Sequence, residues 1–323
     1  MSISRCGAAV LTAGVGLICL APLTAAADGI EVADADAPVV GMAYAPGSSD
    51  LWIAGARADD GIIVNAETGD EVTFGGDPVS VQALAWSSSR LYIADIGDPD
   101  ASRDHVVVFR LASTQTGRQT YNAFDFQYAD GARDAKAFMI SARGNLYVVT
   151  DGDDPGIYYA AAQPSRTSMN TLTRVADAPD GVTDGVFLKD GSTMALRTEV
   201  GIEYIDAFTW EPLVTDTIVG APDAESIAVG ANDEIYVGGN PEIRTTEVPS
   251  SDTTTTIEPS PSPSPSASAS PSASASQSPA ADDDEVEEED SGSSPTRTGT
   301  YVAIGLAALL SVAAGVVTWL IRN

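Results

Sequence analysis

The sequence predicts an all-β fold, a β-propeller of five four-stranded blades. Three observations carry the prediction. A hairpin pattern recurs five times between residues 28 and 244. Its spacing is close to the 40–50 residues of a propeller blade. No stretch of this region keeps the 3.6-residue period of an amphipathic helix.

Each copy is an apolar run, a turn rich in Gly, Ser, Asn or Asp, and a hydrophobic triplet. The runs are VVGMAY, VQALAW, AKAFMI, GVFL and ESIAV, and the triplets are LWI, LYI, LYV, MAL and IYV. The triplet centres Trp52, Tyr92, Tyr147, Ala195 and Tyr236 stand 40, 55, 48 and 41 residues apart. Apolar runs broken by turn formers read as β-hairpins. The segments between copies supply two outer strands per blade: GIIVNAETGDEVTF, then HVVVFRL with Tyr121–Tyr128, then GIYYAA, then GIEYIDAFTWEPLV. Strand-like ends at Ile30–Ala33 and Ile243–Val248 leave room for a sixth blade, and whichever count holds, they are expected to pair and close the ring. A β-sandwich is the competing all-β reading.

Around the repeats the chain divides by composition. Residues 1–27 read as a secretory signal, with Arg5, the apolar stretch Ala8–Leu23 and small residues before Asp28. Residues 28–244 are the propeller ectodomain. Residues 245–298 are rich in Ser, Pro, Thr and Ala, with an acidic run at Asp282–Asp290. Such a composition buries no core and predicts an extended, disordered stalk. Residues 299–321 predict one transmembrane helix, because Tyr301–Ile321 carries no charge and is long enough to span a bilayer. Residues 322–323 form a cytoplasmic tail. The expected location is the cell membrane, single-pass, with the N-terminal domain outside.

Composition also excludes function classes. The net charge is −30 over 323 residues, and the acids extend into the folded region. That surface repels phosphate backbones, so nucleic acid is not a partner. Both cysteines, Cys6 and Cys19, fall in the signal, which leaves the mature chain without thiols. The one histidine, His105, rules out a zinc site of several imidazoles. His105 follows Asp104 and opens the strand HVVVF, where a surface role outweighs a general base. No Gly-x-Ser-x-Gly elbow and no glycine-rich phosphate loop is present.

Over about Val81–Val237 the chain resembles extracellular β-propellers of membrane-anchored actinobacterial proteins, related in pattern to esterase-like phytase propellers. The resemblance rests on LYIADIGDPDASRDHVVVFRL, FDFQYADGARDAKAF, NLYVVTDGDDPGIYYA and VTDGVFLKDGSTMALRT, in that order. It implies a ring of carboxylates at the starts of the inner strands. In this chain Asp134, Asp184 and Glu225 keep that character, while Gln82 and Lys136 stand where the family carries Glu. Together with Asp95 and Asp98 in the first acidic loop, these three are the candidate calcium ligands, since hard cations take several oxygens. Asp-rich loops such as Asp95–Asp104 and Asp151–Asp154 equally suit tight turns, and turn formation is the stronger reading.

The expected function is therefore a surface-displayed, non-enzymatic binding module with no cofactor. Its partners are the lipid bilayer, through the C-terminal helix, and an extracellular protein or glycan. The alternative is a calcium-dependent esterase or phosphoesterase using Asp134, Asp184 and Glu225.

Overall fold

The computed structural model describes residues 30–32, 38–220, 225–238 and 242–256. The expected signal, the acidic part of the stalk and the transmembrane segment lie outside them. The chain divides at Ser262, and every described residue falls in the first unit. Among the described residues there is no helix, and none long and apolar enough to cross a membrane.

The strands group into five blades. A short strand, β1 (Ile30–Glu31), comes first. Blade one is β2 (Gly41–Tyr44), β3 (Leu51–Ala54), β4 (Ile62–Asn65) and β5 (Glu71–Thr73). Blade two is β6 (Val81–Ser87), β7 (Arg90–Asp95), β8 (Val106–Leu111) and, after the two-residue β9 (Gly117–Arg118), β10 (Tyr121–Tyr128). Blade three is β11 (Ala135–Ile140), β12 (Leu146–Thr150), β13 (Gly156–Ala160) and β14 (Asn170–Asp177). Blade four is β15 (Val182–Phe187), β16 (Thr193–Thr198), β17 (Gly201–Asp206) and β18 (Pro212–Val219). Blade five is β19 (Ser226–Val229), β20 (Ile235–Gly238) and β21 (Glu242–Thr246), completed by β1. A last strand, β22 (Thr253–Thr256), follows.

The ring closes by one antiparallel pairing of the chain's early and late segments, with Ile30 opposite Ile243. That is the pairing the sequence predicts, and it settles the blade count at five among the described residues. The inner strands β2, β6, β11, β15 and β19 pack one against the next, and β19 returns to β2. Inner strands are covered on both faces, so they read as near-continuous apolar runs, while outer strands such as β10 and β14 alternate buried and exposed.

The core is correspondingly divided. Five apolar clusters lie between successive blades, one per seam, and none fills a common centre. Phe126 and Phe138 sit in the seam between blades two and three. Leu91 and Ile63 sit between one and two. Full burial of one such side chain contributes about 1.5–3 kcal/mol.

Turn chemistry is local and legible. Ser88 and Ser89 both adopt positive φ, 50° and 60°, as a two-residue I′ turn between β6 and β7 requires. Asp190 accepts the N–H groups of Ser192 and Thr193 at 2.8 and 2.9 Å to hold the longer turn between β15 and β16.

The outer edges are less regular than the repeats suggest. β9 lies parallel to β5, β14 parallel to β10, and β22 parallel to β18. Each covers a strand edge that would otherwise invite pairing with another chain. The composition places the start of the stalk at 245, but residues 245–256 stay with the propeller. Thr255 Oγ1 donates to both carboxylate oxygens of the buried Asp216, at 2.9 and 3.1 Å.

Candidate functional site

Three inner strands carry a β-bulge at the same level. Gln82, Lys136 and Thr183 drop out of register with their partner strands. Counting from matched register positions, Val40 and Glu225 are their equivalents on the other two strands. The five together ring the N-terminal ends of the inner strands, and all are part-exposed. A bulge re-aims a side chain in this way.

The acidic residues of that face mostly join one blade to the next. Asp134 Oδ1, at the start of blade three, accepts the Asp98 N–H of blade two's loop at 2.7 Å. Asp59 Oδ1, in blade one's loop, accepts the Val81 N–H of blade two at 2.7 Å. Asp151 Oδ1, in blade three's loop, accepts the Gly181 N–H ahead of blade four at 3.2 Å. Asp98 also caps its own loop, accepting the N–H groups of Ser102 and Arg103 at 3.0 and 2.9 Å.

The five candidate calcium ligands are therefore placed as follows. Asp95 is buried and takes both Arg103 nitrogens, at 2.9 and 3.0 Å, besides the Ser80 N–H at 2.8 Å. Asp98 is the loop cap. Asp134 holds the Asp98 N–H on one oxygen and the Lys136 ammonium on the other, at 3.2 Å. Asp184 is fully buried one layer below the ring, where it accepts the N–H of Gly185 at 2.8 Å and of Ile227 at 3.0 Å. Burial pushes its carboxyl well above 3.8, against the pull of the Ile227, Gly185 and Met42 N–H groups. Glu225 stands in the ring, its carbonyl accepting the Thr183 hydroxyl at 2.6 Å.

Asp95, Asp98 and Asp134 are thus neighbours, and Asp184 lies apart. Calcium takes six to eight oxygens. The carboxylate oxygens of Asp95, Asp98, Asp134 and Asp184 already meet N–H donors, and an ammonium occupies the charge-neutralising position on Asp134. Among the described residues there is no group of three or more His, Cys, Asp or Glu placed to hold a metal.

One cleft on this face is not announced by the repeats. It measures about 460 Å³ and lies at the outer side of the first acidic loop. Its polar wall is Asp95, Arg103, Asp104 and His105, with Asp77 and Asp125 opposite, and its apolar floor is Phe109 and Tyr121. The two rings meet edge to face at 5.4 Å, and the Tyr121 hydroxyl donates to the Gly75 carbonyl at 2.9 Å. Clefts of 300–1,000 Å³ with an apolar floor and few convergent polar groups are the usual shape of a small-ligand site. His105 is exposed. Of the five guanidinium N–H donors that an Arg carries, Arg103 spends three on Asp95 and on the Gly97 carbonyl. The sequence signal was His105 itself, the single imidazole, but its walls come from three distant segments.

A second polar feature escapes the sequence reading altogether. Arg197 is buried between blades four and five, donates to the Thr198 carbonyl, and donates to the Gly201 carbonyl at 2.6 Å. Burial lowers its pKa to about 10, while Asp216 and Glu225 pull the other way.

No protein-family model matches the chain, and no curated protein matches it. Solved structures of β-propeller-like proteins do. A gluconolactonase from Xanthomonas campestris is 13% identical, with 68% of this chain and 88% of that one covered and a TM-score of 0.44. Regucalcin from Agrobacterium tumefaciens strain C58, a calcium-binding protein, is 17% identical, with 69% and 79% covered and a TM-score of 0.41. Virginiamycin B lyase from Staphylococcus aureus is 11% identical, with 68% and 73% covered and a TM-score of 0.39. Two of these three are named as enzymes, against the expectation of a non-enzymatic module drawn from the sequence, and the likeness itself is one of fold. The chain is similar in fold to β-propeller enzymes and to a calcium-binding β-propeller.

Proposed function

We propose that the chain is a hydrolase of small neutral or cationic esters, lactones included, acting in the His105 cleft. One observation carries the reading: the only imidazole of the chain stands beside Arg103 in the wall of a 460 Å³ cleft with an aromatic floor. His105 removes the proton of an attacking water as its oxygen bonds to the acyl carbon. The acyl C–O bond then breaks, and the imidazolium returns its proton to the leaving alcohol. Arg103 offers its two remaining N–H donors to the developing oxyanion. Four carboxylates, Asp77, Asp95, Asp104 and Asp125, outnumber the one guanidinium, Arg103. That field disfavours phosphate esters.

The test is an ester and lactone panel of varied charge, assayed with the purified chain and with His105→Ala. Turnover of neutral and cationic esters, lost by at least about 10²-fold in the variant, is expected from loss of a general base. Equal rates in both proteins, or no turnover of any ester, would sink the reading. A calcium and chelator arm decides the metal question: an absolute requirement for calcium would move the chemistry to the inner-strand ring.

We further propose that the propeller stands outside the cell on a membrane-anchored stalk. Support comes from residues 1–27 and from the uncharged stretch Tyr301–Ile321. Protease treatment of intact cells should release a resistant fragment that still contains Thr256. Retention of the propeller on the cells would count against this arrangement.

A further inference from the structure

The channel between the inner strands holds a second cavity, on the face opposite the acidic loops. It measures about 160 Å³ and takes its lining from all five inner strands. Its wall is Met42, Leu84, Phe138, Met139 and Val186. Tyr44, Trp86 and Phe187 form its rim, each part-exposed.

The strands close on one another above it. A Cβ on Gly41 would lie 2.7 Å from the Ala83 Cα, so β2 and β6 touch through their backbones. A Cβ on Gly185 would lie 3.0 Å from the Met139 sulfur, so the Met139 side chain of β11 fills the space beside β15. Asp184 ties β15 to β19 at the same level. The result is a blind apolar pocket that opens through an aromatic rim.

Its size and chemistry select one class of occupant. An apolar cavity of about 150 Å³ accepts a single benzene-sized ring and stays dry when empty. A sugar ring needs several hydrogen-bonding partners, and here polar side chains reach only the rim. Lys189 is the one charged group in the lining, and it is engaged: it donates to the Ala231 carbonyl and pairs with Asp233 at 3.5 Å. A charged ligand therefore finds no unmet counter-charge. Sulfur and ring walls of Met42, Met139 and Phe138 suit contact with an aromatic edge.

We propose that this pocket binds a neutral monocyclic aromatic compound, ring inward. The site is distinct from the His105 cleft, so loss of hydrolysis leaves it untouched and the reverse also holds.

Isothermal titration of the full chain with phenol tests it, run beside Ala85→Phe, which fills the pocket from β6. Expected is a saturable one-site heat in the parent chain, weakened at least about tenfold in the variant, a 1.4 kcal/mol change. Partition of phenol into detergent cancels between the two. Equal heats in both, or no saturable heat at millimolar phenol, overturn the proposal. If Ala85→Phe does not fold, Val186→Phe fills the pocket from β15 and carries the same expectation. Val79→Ala, on the other face, should bind phenol as the parent does.

Discussion

Asp134 and Asp98 are joined across a blade seam: the carboxylate of the first accepts the backbone N–H of the second at 2.7 Å. The same carboxylate holds the Lys136 ammonium at 3.2 Å. A residue that the sequence suggests as a metal ligand thus acts as a clamp between blades two and three. Hydrogen bonds to a charged group contribute about 1.5–3 kcal/mol when mostly shielded from water. Asp134→Ala should lower unfolding free energy by an amount of that order, in calcium and in chelator alike. Urea titration in both buffers checks it, and a penalty seen only with calcium would restore the metal reading.

Thr255 secures the last described strand. Its hydroxyl is the side-chain donor to Asp216, which is 1% exposed. Thr255→Val keeps the shape and removes the donor, leaving a buried carboxylate short of a partner at a cost of about 1–3 kcal/mol. The Asp252 carboxylate, which accepts the Thr215 N–H at 3.0 Å, holds the same strand. Truncation before residue 252 should therefore cost at least as much as Thr255→Val. A melting temperature unchanged by both would mean that β22 does not stay on blade four.

Gly41 marks the closest approach of two inner strands. An added methyl would meet the Ala83 Cα at 2.7 Å and the Leu84 nitrogen at 2.8 Å, backbone atoms that cannot step aside singly. Gly41→Ala should destabilise by about 1–3 kcal/mol or more through overpacking. Gly55→Ala is the matched control, since nothing lies within 4 Å of its Cβ position. Similar denaturation midpoints for the two variants would refute the close contact.

Asp184 gives stability a pH dependence of definite sign. Burial holds its folded-state carboxyl well above 3.8. The folded chain therefore binds this proton more tightly than the unfolded chain. The contribution is complete below 3.8 and is lost as pH rises through the folded value. Asp184→Asn cannot titrate, so the parent's unfolding free energy minus the variant's should decline from about pH 4 upward. A difference that rises over that range would show the carboxylate ionised in the fold, held by its backbone N–H bonds.

Much of the architecture was legible because its causes are local. Leu91-Tyr92-Ile93 and its sister triplets alternate and are bounded by turn formers, so their hairpins follow from neighbours in sequence. The pairing of Ile30 with Ile243 was readable because two strand-like ends remained over once the copies were matched. The Asp-rich loop from Asp95 was readable as turn chemistry, and Asp98 does cap it. Less was legible wherever a partner is far along the chain. Asp134 meets Asp98 36 residues away, and Asp216 meets Thr255 39 residues away. Thr253–Thr256 reads as low-complexity stalk until the edge of β18 is there to pair with it. His105 reads as a strand-edge residue until β10 pairs with β8 and brings Tyr121 and Asp125 into the same cleft.

By itself, then, the sequence determined the class of fold and the five repeats, since alternation and turn residues act over a few residues. Only the tertiary structure decided which carboxylates meet donors, which side chains the bulges turn outward and where cavities remain. Those depend on distances between segments that become neighbours only when the ring closes.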